Sequence, residues 1–211
     1  APTWEGEDDA NNYSSVDRYG PQIIEALLAQ PDARVVYKPH PRVITSDDPG
    51  IRKGHQAIVR AMEEAAKADP GAGHVVLVDA DMLGVIRSTD VLVADVSSVT
   101  LDFLYLRPGA PIILTDRRSD HDALRAESPL AEAAYVVDSA NIDDLASELS
   151  VVTTGDHQQQ ARIAMRHHYF DDLAPGESTE RFWTELQRAM DEHDTALRAL
   201  TRVRVVSEGT S

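Results

Sequence analysis

Two stretches of this sequence gather side chains suited to holding a phosphate. The first is Lys38-Pro39-His40-Pro41-Arg42, three potentially cationic groups within five residues. The prolines keep the loop extended, which presets the direction of the histidine. A histidine there can clamp a phosphate or protonate a leaving group near neutral pH. Arg42 can brace phosphate oxygens through a two-point contact. A rigid surface turn with exposed basic groups is the competing account. The second stretch runs from Asp90 to Phe103. An apolar strand closes on Asp95, and a helix starts at Ser97 or Ser98. The first amides of a helix lack internal partners and sit at the positive end of its dipole. Such an end binds phosphate without a lysine. Asp95, Ser97 and Ser98 are therefore candidate ligand contacts. Asp102, one turn along the face of Ser98, is placed to accept hydrogen bonds from ribose hydroxyls. Its competitor is an ordinary serine cap followed by a solvent-facing aspartate. Glu177 and Ser178 follow Pro175-Gly176 ahead of a last long helix and form a third, ligand-facing helix start; plain helix punctuation explains them equally well.

These residues need a frame that points them one way. Strands are predicted at Arg34–Lys38, His74–Val78, Asp90–Ala94, Pro111–Leu114 and Ala134–Val137, and Ala1–Trp4 reads as the end of another. Each is a continuous apolar run, the pattern of a parallel sheet covered on both faces. Helices are predicted between them, including Tyr19–Gln30, Asp47–Lys67, Asp81–Ser88 and Ser97–Leu106, with closing helices at His157–Phe170 and Thr179–Leu200. The fold class is α/β, a Rossmann-like parallel sheet with helices on both faces. One domain is expected over residues 1–200, with a frayed tail at 201–211. Ligands of such sheets bind beyond the carboxyl ends of the strands. That rule points to the loops after Trp4, Lys38, Asp79 and Asp95.

Composition narrows the partners. The 211 residues carry 20 Lys and Arg against 36 Asp and Glu, a formal charge of -16. This field repels nucleic acid, so none is expected as a partner. A bound phosphate must sit where positive groups or helix ends cluster against the field. With no cysteine, disulfides and thiolate metal sites are excluded. No metal or cofactor is expected: His121 lies in an acidic loop without a recognisable ligand spacing, and His167 and His168 are neighbours that diverge on a helix. Glycine-rich dinucleotide and ATP fingerprints are absent, as is a serine-hydrolase elbow.

Read in order, Ala1-Pro2-Thr3-Trp4, Lys38-Pro39-His40-Pro41, Asp95-Val96-Ser97-Ser98 through Asp102-Phe103, and Gly176 to Arg181 resemble the CDP-glycerol glycerophosphotransferases, the teichoic acid primases and polymerases. The landmarks stretch from residue 1 to about residue 183. The resemblance implies the C-terminal half of a GT-B type architecture, with a CDP-glycerol or related CDP-alcohol donor, a polyol-phosphate or lipid-linked acceptor, and a facing N-terminal domain as partner. It implies His40 as a catalytic or phosphate-contacting histidine and Ser97 and Ser98 as donor-phosphate contacts. It also implies a cytoplasmic location, peripheral at the inner face of the plasma membrane, and wall or capsule polymer synthesis with release of CMP. The acceptor's base belongs to the N-terminal half, so this chain alone is expected to turn nothing over. Three departures stand out: Val96 where the family often has tyrosine, Glu5 where arginine often follows the tryptophan, and a divergent stretch from Asp116 to Leu130. Arg117 and Arg118 are a further cationic pair near the donor, or a solvated one. A GT-B nucleotide-sugar glycosyltransferase or epimerase shares the same ingredients, and a non-enzymatic Rossmann-like binding module remains a third reading.

Overall fold

The computed structural model describes residues 1–8, 11–174 and 176–208, with side chains up to residue 198. The backbone divides into two compact units, Ala1–Tyr169 and Phe170–Ser211. This division falls inside the single 1–200 domain expected from the sequence.

The first unit alternates strand and helix. Strands β1 (Val36–Tyr37) and β2 (Val75–Val76) pair in parallel. Strands β3 (Leu92–Ala94), β4 (Ile112–Thr115) and β5 (Tyr135–Val137) form a second parallel ladder in the order β3-β4-β5. The opening residues bridge the two. Ala1 donates its amine to the Val93 carbonyl at 2.7 Å, and Thr3 N–H donates to Asp95 Oδ2 at 2.8 Å. On the other side, the Pro2 carbonyl accepts from His40 N–H at 3.2 Å. Residues 1–4 belong to no ladder strand, and Pro2 has no N–H to give one. The spatial order is thus β2, β1, opening segment, β3, β4, β5. The chain moves one way from the opening segment through β1 to β2, and the other way from β3 to β5. The reversal lies between the opening segment and β3, where ligands of open α/β sheets bind.

Helices cover both faces. Among them are α1 (Gly20–Leu28), α2 (Pro41–Ile44), α3 (Pro49–Ala68), α4 (Met82–Arg87), α5 (Ser98–Leu106), α6 (His121–Glu127), α7 (Leu145–Thr154) and α8 (Gln159–Phe170). Ile24 of α1 and Ile51, Ile58 and Met62 of α3 pack on Val35 and Tyr37. Tyr19, Ile23 and α7 residues Leu145, Leu149 and Val152 pack on Ile113 and Val137. Successive strand side chains alternate faces, so Ile112 and Leu114, both fully buried, point the other way from Ile113. That explains why β4 reads as an unbroken apolar run. A Cβ on Gly54 would lie 2.3 Å from the Val16 carbonyl oxygen, so the glycine lets α3 close on the segment before α1.

Element order agrees with the sequence reading, and strand lengths do not: the ladders span two to four residues. Asp48 caps α3 as the Asp47-Asp48-Pro49 pattern suggests, accepting from Gly50 and Ile51 N–H. Helix α2 was not legible because Pro41 reads as a strand breaker. It is the first residue of a helix, where proline's missing N–H is not needed. His121 likewise belongs to α6, whose cap is Asp120, rather than to a loop.

The second unit is dominated by α9 (Glu177–Glu208). The helix continues to Glu208, through most of the stretch expected to be a frayed tail; residues 209–211 lie outside the described residues. Ion pairs Arg181–Glu177 and Arg188 with Glu185 and Glu192 line its exposed surface at helical spacing. No helix among the described residues is long and apolar enough to cross a membrane.

Candidate active site

A cleft of about 650 Å³ opens at the switch point of the first unit. Its floor is the opening segment, including Trp4. One side is Lys38, Pro39, His40 and Pro41 after β1; the other is Val96, Ser97, Ser98 and Val99 at the start of α5. Gly6, Glu7, Asp8, Asn11 and Tyr13 close the rim. The His40 loop and the first residues of α5 therefore line one space.

Each wall has a local cause. Ser97 is extended, with φ -164° and ψ 168°, and its side chain makes no capping bond. Its carbonyl accepts instead, from Thr100 Oγ1 at 2.7 Å. Ser97 Oγ is buried and has no hydrogen-bond partner. A buried hydroxyl without a partner is uncommon and asks for one. Ser97 itself lines the cleft, beside amides that α5 leaves unpaired. On the opposite wall, His40 Nδ1 accepts the Arg42 N–H at 3.2 Å. An accepting Nδ1 leaves the proton of the neutral ring on Nε2. Partial burial lowers the His40 pKa, and the charges of Arg42 and Lys38 lower it further. The ring is thus biased toward a neutral donor. Lys38 lines the cleft, and its Nζ donates to the Val78 carbonyl at 3.1 Å.

Four sequence-predicted residues come together here: Lys38, His40, Ser97 and Ser98. The others do not line the cleft. Asp95 is fully buried and points inward. Its Oδ1 accepts from Ser15 N–H at 3.2 Å, Ser15 Oγ at 2.5 Å and Thr115 Oγ1 at 2.5 Å, and its Oδ2 accepts from Thr3 N–H. Burial raises its pKa, against those hydrogen bonds from Ser15, Thr115 and Thr3. Asp95 is therefore a strut that ties the opening segment and the rim loop to β3 and β4, not a ligand contact. Asp102 is exposed on α5, about 6 Å along the axis from Ser98 and away from the amide end. Arg42 turns its guanidinium onto the Trp4 ring, with Cζ 4.1 Å from the centroid. Glu177 pairs with Arg181 and accepts from Ala174 N–H at 3.0 Å, and Ser178 is exposed; both belong to the second unit.

Arg117 and Arg118 are committed elsewhere. Arg117 pairs with Asp17 and donates to the Ser14 carbonyl at 2.7 Å. Arg118 pairs with Glu127 and lies 5.1 Å from the centre of the Tyr13 ring, whose hydroxyl donates to the same Glu127 at 2.7 Å. They brace the rim loop. The strand-end rule points to the loop after Trp4, but the sequence reading names none of its residues as site candidates; the fold brings Glu7, Asp8, Asn11 and Tyr13 to the cleft.

Comparison with known proteins now decides the family. Residues 1–187 match the family model for CDP-glycerol:poly(glycerophosphate) glycerophosphotransferase. The chain belongs to this family. The match covers every element of the cleft and extends into α9. No curated protein and no solved structure shows significant similarity to the chain. The family's chemistry is a transferase reaction of the glycerophosphotransferase type, with a CDP-alcohol donor and an acceptor.

Proposed function

We propose that the chain is the donor-binding half of a GT-B type glycerophosphotransferase. It holds the pyrophosphate of CDP-glycerol, or a related CDP-alcohol, between the α5 amides and His40. The observation that carries this reading is the shared cleft, with Ser97, Ser98 and Val99 on one wall and His40 on the other, and with the Ser97 hydroxyl buried without a partner beside it. An acceptor hydroxyl attacks the β-phosphorus in line. The bond from that phosphorus to the bridging oxygen breaks, and its electron pair leaves with CMP. Donors already aimed at the charge that develops on these oxygens need no reorganisation during reaction. Ser97 Oγ, the Ser98 and Val99 amides and the Nε2–H of His40 are such donors, with Lys38 adding a positive charge. The acceptor's proton goes to a base on a facing domain. The polymer served is a teichoic acid or capsule chain, made at the inner face of the membrane.

The test is calorimetric titration of the chain with CDP-glycerol, CDP-ribitol and UDP-glucose, paired with a CMP-release assay. Binding of a CDP-alcohol in preference to UDP-glucose, lost in His40→Ala, is expected, with no CMP release above that of His40→Ala. Preference for UDP-glucose would move the chain to nucleotide-sugar chemistry. No binding of any of the three would leave a non-enzymatic module.

A further inference from the structure

The cation beside the catalytic histidine faces the wrong way for a phosphate contact. Arg42 places its guanidinium on the face of Trp4, 4.1 Å from the ring centroid. The Trp4 ring in turn stacks with His40, centroids 6.4 Å apart and planes 28° apart. The backbone closes the same group from below: His40 N–H donates to Pro2, two residues before Trp4, and the Arg42 N–H holds His40 Nδ1. Pro39 and Pro41 flank the histidine and fix the chain on either side.

We infer that Trp4 and Arg42 are positioning residues for His40, forming a three-member stack that sets the plane of the imidazole and aims Nε2 into the cleft. Trp4 and His40 line that cleft and Arg42 does not, so Arg42 acts through the indole. The inference rests on the reading of His40 as the phosphate-facing donor. It explains why an exposed arginine sits two residues from that histidine without reaching the ligand space. A guanidinium stacks flat on an indole, whereas an ammonium is a compact, strongly hydrated point charge. Arg42 should therefore not be replaceable by lysine.

The chain holds two tryptophans, so Trp183→Phe leaves Trp4 as a sole reporter. Protonated imidazole quenches a neighbouring indole, and Trp4 emission should titrate with His40 and lose that titration in His40→Gln. Arg42→Ala and Arg42→Lys should each reduce the amplitude at least twofold. In the same background, CDP-glycerol affinity should fall about fivefold to tenfold in Arg42→Ala and in Trp4→Leu, and no further when the two are combined. Trp4→Phe should recover most of the loss, and Trp4→Met serves in place of Trp4→Leu should that variant fail to fold. Multiplying losses in the double variant would mean that Arg42 touches the ligand directly and would overturn the inference. So would an unchanged titration in Arg42→Ala. Absence of CDP-glycerol binding by the parent chain would instead refute the donor-site reading. The ligand-free titration would still decide the stack.

Discussion

Asp95 offers the sharpest quantitative test, because sequence reading and structure give it opposite jobs. As a ligand contact it would be dispensable for folding. As a buried strut it serves two backbone amides, Thr3 and Ser15, and two hydroxyls, Ser15 and Thr115. In Asp95→Ala the hydroxyls can rotate toward other acceptors, but the two amides cannot. Each stranded amide costs about 1–3 kcal/mol, the buried Ser15 amide more than the part-buried Thr3 amide. One term runs the other way. A carboxyl whose pKa is raised by burial adds stability below its unfolded range and loses it as pH rises through the folded value. The charged form is thus a net burden at pH 7, and alanine removes it. The balance is a loss of about 2–4 kcal/mol. Asp95→Asn should lose less, about 1–2 kcal/mol. Its oxygen can keep the Oδ1 bonds, while its amide nitrogen opposes the Thr3 N–H. Urea unfolding at pH 7 gives both values, and Trp4 emission in Trp183→Phe reports whether the opening segment has moved. An Asp95→Ala midpoint equivalent to a loss under about 0.5 kcal/mol, with ligand binding gone, would refute the strut.

Three further outcomes follow from the same geometry. Ser97→Ala removes a hydroxyl that bonds to nothing in the free chain, so stability should hold or rise slightly, while CDP-glycerol affinity should drop at least tenfold if that hydroxyl meets a charged phosphate; equal stability and equal affinity would remove Ser97 from the site. The pyrophosphate diester of CDP-glycerol has no proton to gain near neutrality, and the His40 pKa is lowered. Affinity should therefore strengthen as pH falls below about 6.5, the ordinary histidine value, and His40→Gln should be flat by calorimetry across that window. Gly54→Ala should cost about 1–3 kcal/mol in urea unfolding, since the new methyl meets the Val16 carbonyl; a neutral result would mean that α3 moves freely off that segment.

The parts of this protein legible from sequence are those fixed by local pattern. Unbroken apolar runs placed β3 and β4, and Asp48-Pro49 placed the start of α3, because capping and strand burial are decided within a few residues. The cleft-lining pair was legible from local signals too: His40 sits in a proline-bracketed basic run after a strand, and Ser97 starts a helix after one. Residues whose roles depend on distant partners were not. Arg42 looks like a phosphate clamp until Trp4, far back in the chain, is seen beneath it. Asp95 looks like a rim carboxylate until Ser15 and Thr115 close around it. The loop after Trp4 was legible as a place, but which of its residues reach the cleft depends on the opening segment lying between β1 and β3.

A crystal structure of the chain soaked with CDP-glycerol tests the central claim most directly. The account predicts β-phosphate oxygens at hydrogen-bond distance, about 2.7–3.2 Å, from the Ser98 or Val99 amide and from His40 Nε2 in the same molecule. Pyrophosphate density away from the α5 start, or a His40 ring turned out of the cleft with ligand bound, would contradict it.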